Sequence, residues 1–320
     1  MASFAHIRSL TRHETILAMV VVFALVALSA QSDRFFTVAN LLNQGRLMTE
    51  VGLVAVAMTF VIASGGIDLS VGSIMGLTAI LIGVFWHNFG ISLPVAAALA
   101  VGVGTLGGFV NGLIIARCGV PPLIATLGTL ALYRGLAEGI SQARSVGGYP
   151  DWFYLLGQGQ INGLPTQLLV LFIFAITATI ILSCTVWGRT VYAVGSNEIA
   201  ARFSGLSVER SKLAIYTASG FAAAIAGVIF VSRVSTTRSD MGTGLELDAI
   251  TAVVLGGTSI FGGKGTIVGT ILGLILIQSL KNGLSLAGVR GDGTIVVIGA
   301  VLIVTILLSN IFSRDGFPEH

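Results

Sequence analysis

Charge is the first thing this chain lacks. Only 10% of its 320 residues are Asp, Glu, Lys or Arg, against 54% hydrophobic ones, and a mean hydropathy of +0.95 sets it apart from soluble domains. A soluble chain could not hide that much apolar surface, and no polar stretch is long enough for a large soluble domain. Cysteine is nearly absent: Cys118 and Cys184 are the 2 present, expected as free thiols near the inner ends of spans rather than as a disulfide. Histidine is as sparse, with His6, His13, His87 and His320 scattered over ends and loops. Without a Cys/His cluster or a carboxylate pair at catalytic spacing, nothing points to metal or hydrolytic chemistry. Basic residues interleaved with aromatics are missing too, so the net charge of +3 suits an anionic membrane surface and not nucleic acid.

What the chain does have is apolar runs. A span needs about 20 apolar residues to cross roughly 30 Å of hydrocarbon. Such runs fall near 15–30, 47–64, 70–86, 93–116, 121–140, 166–186, 213–232, 247–261, 266–284 and 294–308. They predict an all-α polytopic membrane protein, a single transmembrane domain over 1–320 with about ten spans and both termini on one side. The first run ends in small residues at Ser29 and Ala30, as a secretory signal would, but the spans that follow favour an uncleaved first span. Residues 33–50 are amphipathic and are expected at the outer interface, ahead of the second span.

One long polar break carries helical patterning, 187–212. Arg189, Arg202, Arg210 and Lys212 there outnumber Glu198 and Glu209, which places it on the cytoplasmic side. The orientation rests on this stretch, since elsewhere Arg8, Arg12, Arg117, Lys264 and Arg314 fall inside against Arg34, Arg46, Arg144, Arg233, Arg238, Lys281 and Arg290 outside. Ser196 or Asn197 can cap a short helix with Glu198 in its first turn, and Gly205 is a natural stop. Ile199 and Phe203, four apart, share a face beside the small Ala200 and Ala201. A helix of about two turns is not self-sufficient, so this is either a knob that needs a socket or an ordinary loop with an amphipathic turn.

On the outer side, 141–165 mixes turn formers with aromatics at Gly147, Gly148, Tyr149, Pro150, Asp151, Trp152 and Tyr154. It reads as interfacial aromatics or, together with the polar loop 233–246, as a docking surface for an external solute-binding protein. Gly65 to Gly72, G-G-I-D-L-S-V-G, breaks two apolar runs with too little chain for a solvent loop. Glycines there can end one helix while Asp68 or Ser70 caps the next. A carboxylate facing lipid at mid-depth costs about 2.5–3.5 kcal/mol, so Asp68 must face the interior or an interface, as a structural cap or as part of a substrate path. Ser70, Asn111, Thr129, Arg134 and Asn282 are further intramembrane polar residues that could line such a path, each with interhelical hydrogen bonding as the plainer role. Thr126 and Gln278 belong to the same class. Arg134 and Glu138, four apart, can neutralise each other near the outer end of their span.

Gly104, Gly108 and Gly112 share the four-residue spacing of Gly265, Gly269 and Gly273, which lets helix backbones approach closely. T-S-I-F-G-G-K-G at Thr258 to Gly265 lacks the first Gly and the last Ser or Thr of a phosphate-binding loop. The G-x-G-x-x-G at Gly102, Gly104 and Gly107 lies inside an apolar span, not at a strand-to-helix turn. Neither indicates a nucleotide.

Three stretches together carry a resemblance: G-R-x-x-x-A-x-G-x-N-x-x-A-A-x-x-x-G from Gly188 to Gly205, the G-G-I-D-L-S-V-G break, and Gly242 to Gly273. The chain resembles the permease subunits of ATP-binding-cassette (ABC) importers of the ribose, xylose and galactose type. That resemblance implies a short cytoplasmic coupling helix, with Gly188, Arg189, Asn197, Glu198, Ala200, Ala201, Phe203 and Gly205 engaging a separate ATPase subunit. It also implies a periplasmic sugar-binding protein, a second permease copy or paralogue, and an inner-membrane location with both termini cytoplasmic. ATP and Mg would be held by the ATPase, with no cofactor on this chain. Ala125 to Gly135 and Thr236 to Glu246 look most like the rhamnose and autoinducer-2 branches. Among other classes, an ion-coupled secondary transporter would need more intramembrane ionisable groups than Asp68 and the Arg134/Glu138 pair, and an intramembrane enzyme would need a nucleophile and base.

Overall fold

The computed structural model describes residues 2–142, 144–289, 291, 293–300 and 303, and of 2–13 the backbone alone. The helices in chain order are α1 (Ala2–Gln31), α2 (Val38–Ala63), α3 (Val71–Gly83) with a π-helical extension Val84–Asn88, α4 (Leu93–Ala116) and α5 (Pro122–Ser141). They continue as α6 (Asp151–Gln158), α7 (Thr166–Cys184), α8 (Val186–Ser196), α9 (Glu198–Phe203), α10 (Val208–Val234), α11 (Leu245–Leu255) and α12 (Ile267–Leu286). The sheet among the described residues is one hairpin, β1 (Gln160–Ile161) against β2 (Leu164–Pro165). By length and composition, 7 of these helices can cross a membrane.

The centre is built from α2, α3, α4 and α10, and every residue of α3 is buried. Inside lipid, helices gain little from burying apolar surface against one another, so close packing of small residues holds them together. The glycine spacing in α4 serves that end. A Cβ on Gly108 would lie 2.8 Å from Cα of Gly220, and one on Gly104 would lie 2.7 Å from Cβ of Ala224 in α10. The same device joins α11 to α12, where a Cβ on Gly256 would meet the carbonyl of Gly269 at 2.5 Å. α1 runs parallel to α12, from the 2.5 Å bond of Thr266 Oγ1 to Glu14 Oε1 at one end to the contact of Leu28 with Gly283 at the other.

One end of the bundle gathers Ala63, Gly195 and the 257–265 loop, with Gly263 N–H donating to the Ala63 carbonyl at 2.9 Å. The opposite end is closed by α6 and the 235–244 loop. There Ser232 Oγ donates to the Phe153 carbonyl at 2.5 Å and Gln158 Nε2 to the Arg233 carbonyl at 2.9 Å.

Several expectations need correcting. Residues 38–50 are not a separate interfacial segment but the first half of α2, capped by Thr37, whose Oγ1 accepts from Asn40 N–H at 3.3 Å. Their amphipathicity marks an internal polar seam: Glu50, 2% exposed, accepts from Arg233 Nε at 2.7 Å. α10 begins at Val208, so Arg210 and Lys212 belong to the span's first turns. α11 stops at Leu255, where the run 247–261 predicted a full span; its 11 residues reach only about 16 Å.

Tyr149 is not a belt aromatic. It is buried beside the likewise buried Phe153 and stacks on Trp86 with centroids 4.7 Å apart. Burial holds the Tyr149 phenol above its ordinary pKa. Trp152 alone of this group keeps an exposed ring at 51%. The two cysteines are free and exposed. Residues 293–300 and 303 are helical; the remainder of the run expected over 294–308, with Arg290, Arg314, His320 and the side chains of His6, Arg8, Arg12 and His13, lies outside the described residues.

Candidate functional site

Between α7 and α10 the chain makes two helices where the sequence pattern suggested one. Thr185 caps α8 by accepting from Gly188 N–H at 3.1 Å, and Gly188 is small because it packs on the Leu182 carbonyl of α7. Tyr192 Oη donates to the Gly265 carbonyl at 2.7 Å and pins α8 to the 257–265 loop. Burial, and secondarily the Glu14 carboxylate, push its phenol up to about 12, so it stays a neutral donor. Nothing in the periodicity signalled this anchor.

Asn197, not Ser196, caps α9, its Oδ1 accepting from Ala200 N–H at 2.9 Å. The exit is a Schellman turn: Leu206 N–H reaches the Ala201 carbonyl and Gly205 N–H the Arg202 carbonyl, each at 3.1 Å. Gly205 sits at φ +79°, in the left-handed region that an L side chain resists. Beneath the helix, Ala201 packs with Val194 and Val208 in a small apolar cluster. Ionic struts flank it, Lys212 Nζ to Glu198 Oε2 at 2.6 Å and Arg202 Nη1 to Glu209 Oε1 at 3.4 Å. The outward face is apolar, with Ile199 69% and Phe203 89% exposed, and Ala200 lies open beside them. Arg189 is exposed as well. α9 is therefore a greasy tip on a braced base, suited to insertion into another surface.

The residues expected along a substrate path fall in three separate places. Asp68 is 0% exposed, its Oδ1 accepting from Ser70 N–H at 3.0 Å and Ser70 Oγ at 2.7 Å while Oδ2 accepts from Ser219 Oγ at 2.8 Å. Asn111 Nδ2 donates to Ser70 Oγ at 2.7 Å, and Tyr133 Oη donates to the Gly107 carbonyl at 2.9 Å. This node fastens the α2–α3 break to α4 and α10. Thr126 Oγ1 adds α5 through the Ile67 carbonyl at 3.2 Å, and Thr129 Oγ1 turns back to the Thr126 carbonyl at 3.3 Å.

Arg134 lies elsewhere. It donates from Nη1 to the carbonyls of Ser239 and, at 2.9 Å, Met241, so it holds the 235–244 loop inside the bundle. Among the described residues no ion pair joins it to Glu138, which is exposed on the outer face of α5. Asn282 exchanges hydrogen bonds of 2.9 and 3.0 Å with Asn40 and ties α12 to α2. Ser219, Tyr133 and the carbonyl partners of Arg134 escaped the sequence reading because a serine or a tyrosine in an apolar helix carries no positional signal.

The architecture is a polytopic helical membrane bundle with hydrogen-bonded polar nodes inside and an exposed apolar tip. The chain belongs to the family described as "Branched-chain amino acid transport system / permease component", which it matches over residues 40–306. It is 40% identical to the ribose import permease protein RbsC of Escherichia coli K12 over 94% of both chains. To RbsC of Bacillus subtilis 168 it is 38% identical over 88% of both. The autoinducer 2 import system permease protein LsrD of Escherichia coli O9:H4 is 37% identical over 92% of this chain and 91% of its own. No solved structure matches. The chain is thus a multi-pass permease component of the sugar-importing ABC systems, and not itself an enzyme.

Proposed function

We propose that this chain is the permease subunit of an ABC importer that carries a monosaccharide across the bacterial inner membrane. A separate ATPase, which would hold ATP and Mg, docks on α9. The observation that carries this reading is the exposure of Ile199 and Phe203 on a helix whose other sides are capped, packed and ion-paired. An apolar tip of that kind is costly to leave in water, and a groove on a partner removes the cost. Arg189, Arg202, Arg210 and Lys212 cluster at this end, which favours a cytoplasmic location for it and for both termini. With α5, the short α11 and the C-terminal apolar run 294–308 added to the seven, the topology has ten spans.

A second copy or paralogue would complete the path. α5 supports this, because Gly128, Gly135 and Gly139 have nothing within 4 Å of where a Cβ would stand, on a face that also exposes Leu132 and Leu136. In this reading the fixed nodes at Asp68 and Arg134 keep each subunit rigid, while ATP-driven force at α9 tilts one against the other and alternates access. A periplasmic sugar-binding protein would deliver the solute to the end closed by α6 and the 235–244 loop. The relatives favour ribose, with rhamnose as a further candidate; LsrD supports autoinducer-2 as the second reading. The test is uptake into proteoliposomes whose lumen holds ATP and the ATPase-bearing face of the permease, with binding protein and labelled ribose, rhamnose or autoinducer-2 outside. Uptake of one of them that requires both partners is expected, and uptake driven by an ion gradient without ATPase would overturn the proposal.

A further inference from the structure

We propose that a polar cleft at the base of α9 binds the transported solute from the cytoplasmic side and slows the cycle. The inference rests on the importer reading for its sidedness and solute class, and it adds a site that the transport path does not require.

The cleft has a volume of about 250 Å³ and lies between the end of α2, the α8–α9 junction and α10. This is below the roughly 300–1,000 Å³ of sites for drug-sized ligands, which suits a small guest. Four features of the lining define its chemistry. Tyr216 is 1% exposed, yet its hydroxyl has no hydrogen-bond partner among the described residues. A buried hydroxyl left unpaired is uncommon and calls for an explanation. Lys212 and Glu198 face each other at 2.6 Å across the wall and cancel in charge, so a neutral guest is favoured over an ion. Lys212 still has ammonium protons to donate beyond that pair. Phe261, 80% exposed, offers a flat apolar ring against which the C–H face of a sugar can lie. Hydroxyl partners, neutral balance and one aromatic face together describe a small polyhydroxylated, uncharged molecule.

The position gives such a guest leverage. Its walls include Asn197, which caps α9, and the Gly65–Gly66 turn that leads to the Asp68 node. A molecule bonded to both would hold the base of α9 against α2 in the arrangement seen here, and any ligand that binds one conformation better shifts the population toward it. Accumulated product would thereby brake its own import.

The test uses the permease–ATPase complex in nanodiscs without binding protein, titrated with D-ribose, L-rhamnose and autoinducer-2. At least one should raise the thermal-unfolding midpoint saturably, with half-effect on the order of 1 mM, and lower ATP hydrolysis at least about twofold. Tyr216→Phe, which keeps the packed ring, and Phe261→Ala, on an exposed loop, should each weaken the half-effect about fivefold or more. No saturable shift with any of the three solutes, or a shift unchanged in both variants, would overturn the proposal. Because import through the binding protein is measured from the other face, uptake that is intact without a shift sinks the cleft alone. A shift that persists where uptake fails sinks the importer reading instead.

Discussion

Two turns in this molecule are written in nearly the same local language and come to opposite ends. At 64–70 a helix stops at Gly65, φ +82°, and Asp68 takes up the backbone beyond it. At 197–206 Asn197 opens a helix that stops at Gly205, φ +79°. Around the first turn everything is occupied: a Cβ on Gly66 would collide with the Tyr216 hydroxyl, and Asp68 is sealed under donors from Ser70, just ahead of α3, and Ser219 in α10. Around the second, nothing lies within 4 Å of a Cβ on Gly205, and Phe203 stands in the open. Local chemistry decides where a helix ends; the surroundings decide whether that end is a joint or a handle. Substitutions should therefore divide, with damage at the joint read as lost folding and damage at the handle as lost coupling.

The largest effect is expected at the joint. Asp68→Ala leaves the Ser70 amide, the Ser70 hydroxyl and the Ser219 hydroxyl without their acceptor in a buried site. Each buried donor left without an acceptor costs about 1–3 kcal/mol, so the variant should lose most of its monodisperse yield in detergent and melt well below the parent. Asp68→Asn retains one acceptor oxygen and should fall between them. A parental melting curve for the alanine variant would show that the node is no joint.

Next comes the handle. Phe203→Glu should leave the stability within about 0.5 kcal/mol of the parent, as surface changes do, while uptake falls at least about tenfold, equivalent to the roughly 1.4 kcal/mol that separates a strong interface contact from a neutral one. Parental uptake with that variant would break the contrast between the two turns.

How much of this was legible beforehand follows the same division. The handle was readable almost residue by residue: a cap at Ser196 or Asn197, the stop at Gly205 and the Ile199/Phe203 pair all follow from short-range rules, and only the choice of Asn197 came from the structure. The joint was readable only as a location. G-G-I-D-L-S-V-G announces a break with a buried carboxylate, but Ser219, 151 residues onward, and Asn111 on α4 reach it through tertiary packing that no local pattern encodes. Polar residues in apolar spans were the hardest to place, because Arg134, Asn282 and Glu50 look alike in sequence. One holds loop carbonyls, one pairs with Asn40 and one meets Arg233. Span boundaries failed where hydropathy and helicity part company, as in α11, which ends at a glycine pressed against Gly269 although the apolar run continues.

A smaller effect belongs to the handle's own backbone. Gly205→Val puts a β-branched side chain into the left-handed region at a cost of roughly 1–2 kcal/mol. Because that side chain meets no other atoms, the penalty should fall on the Schellman turn alone. Faster amide exchange at positions 205 and 206, with the global melt barely moved, is the expected record; a global loss as large as that of Asp68→Ala would mean the two turns are equally structural.

The smallest effects distinguish the two struts beneath α9. The Arg202 side chain is 57% exposed and its partner Glu209 55%, and pairs so open to water contribute about 0–1 kcal/mol, screened further by salt. Lys212, by contrast, is 14% exposed and closes on Glu198 at 2.6 Å. Its removal takes away both an ion pair and one wall of the α9 base. Arg202→Ala should thus leave amide exchange in 198–203 nearly unchanged at any ionic strength, whereas Lys212→Ala should speed it severalfold. If both variants exchange alike, the base is held by the apolar packing of Ala201, Val194 and Val208, and the ionic struts only decorate it.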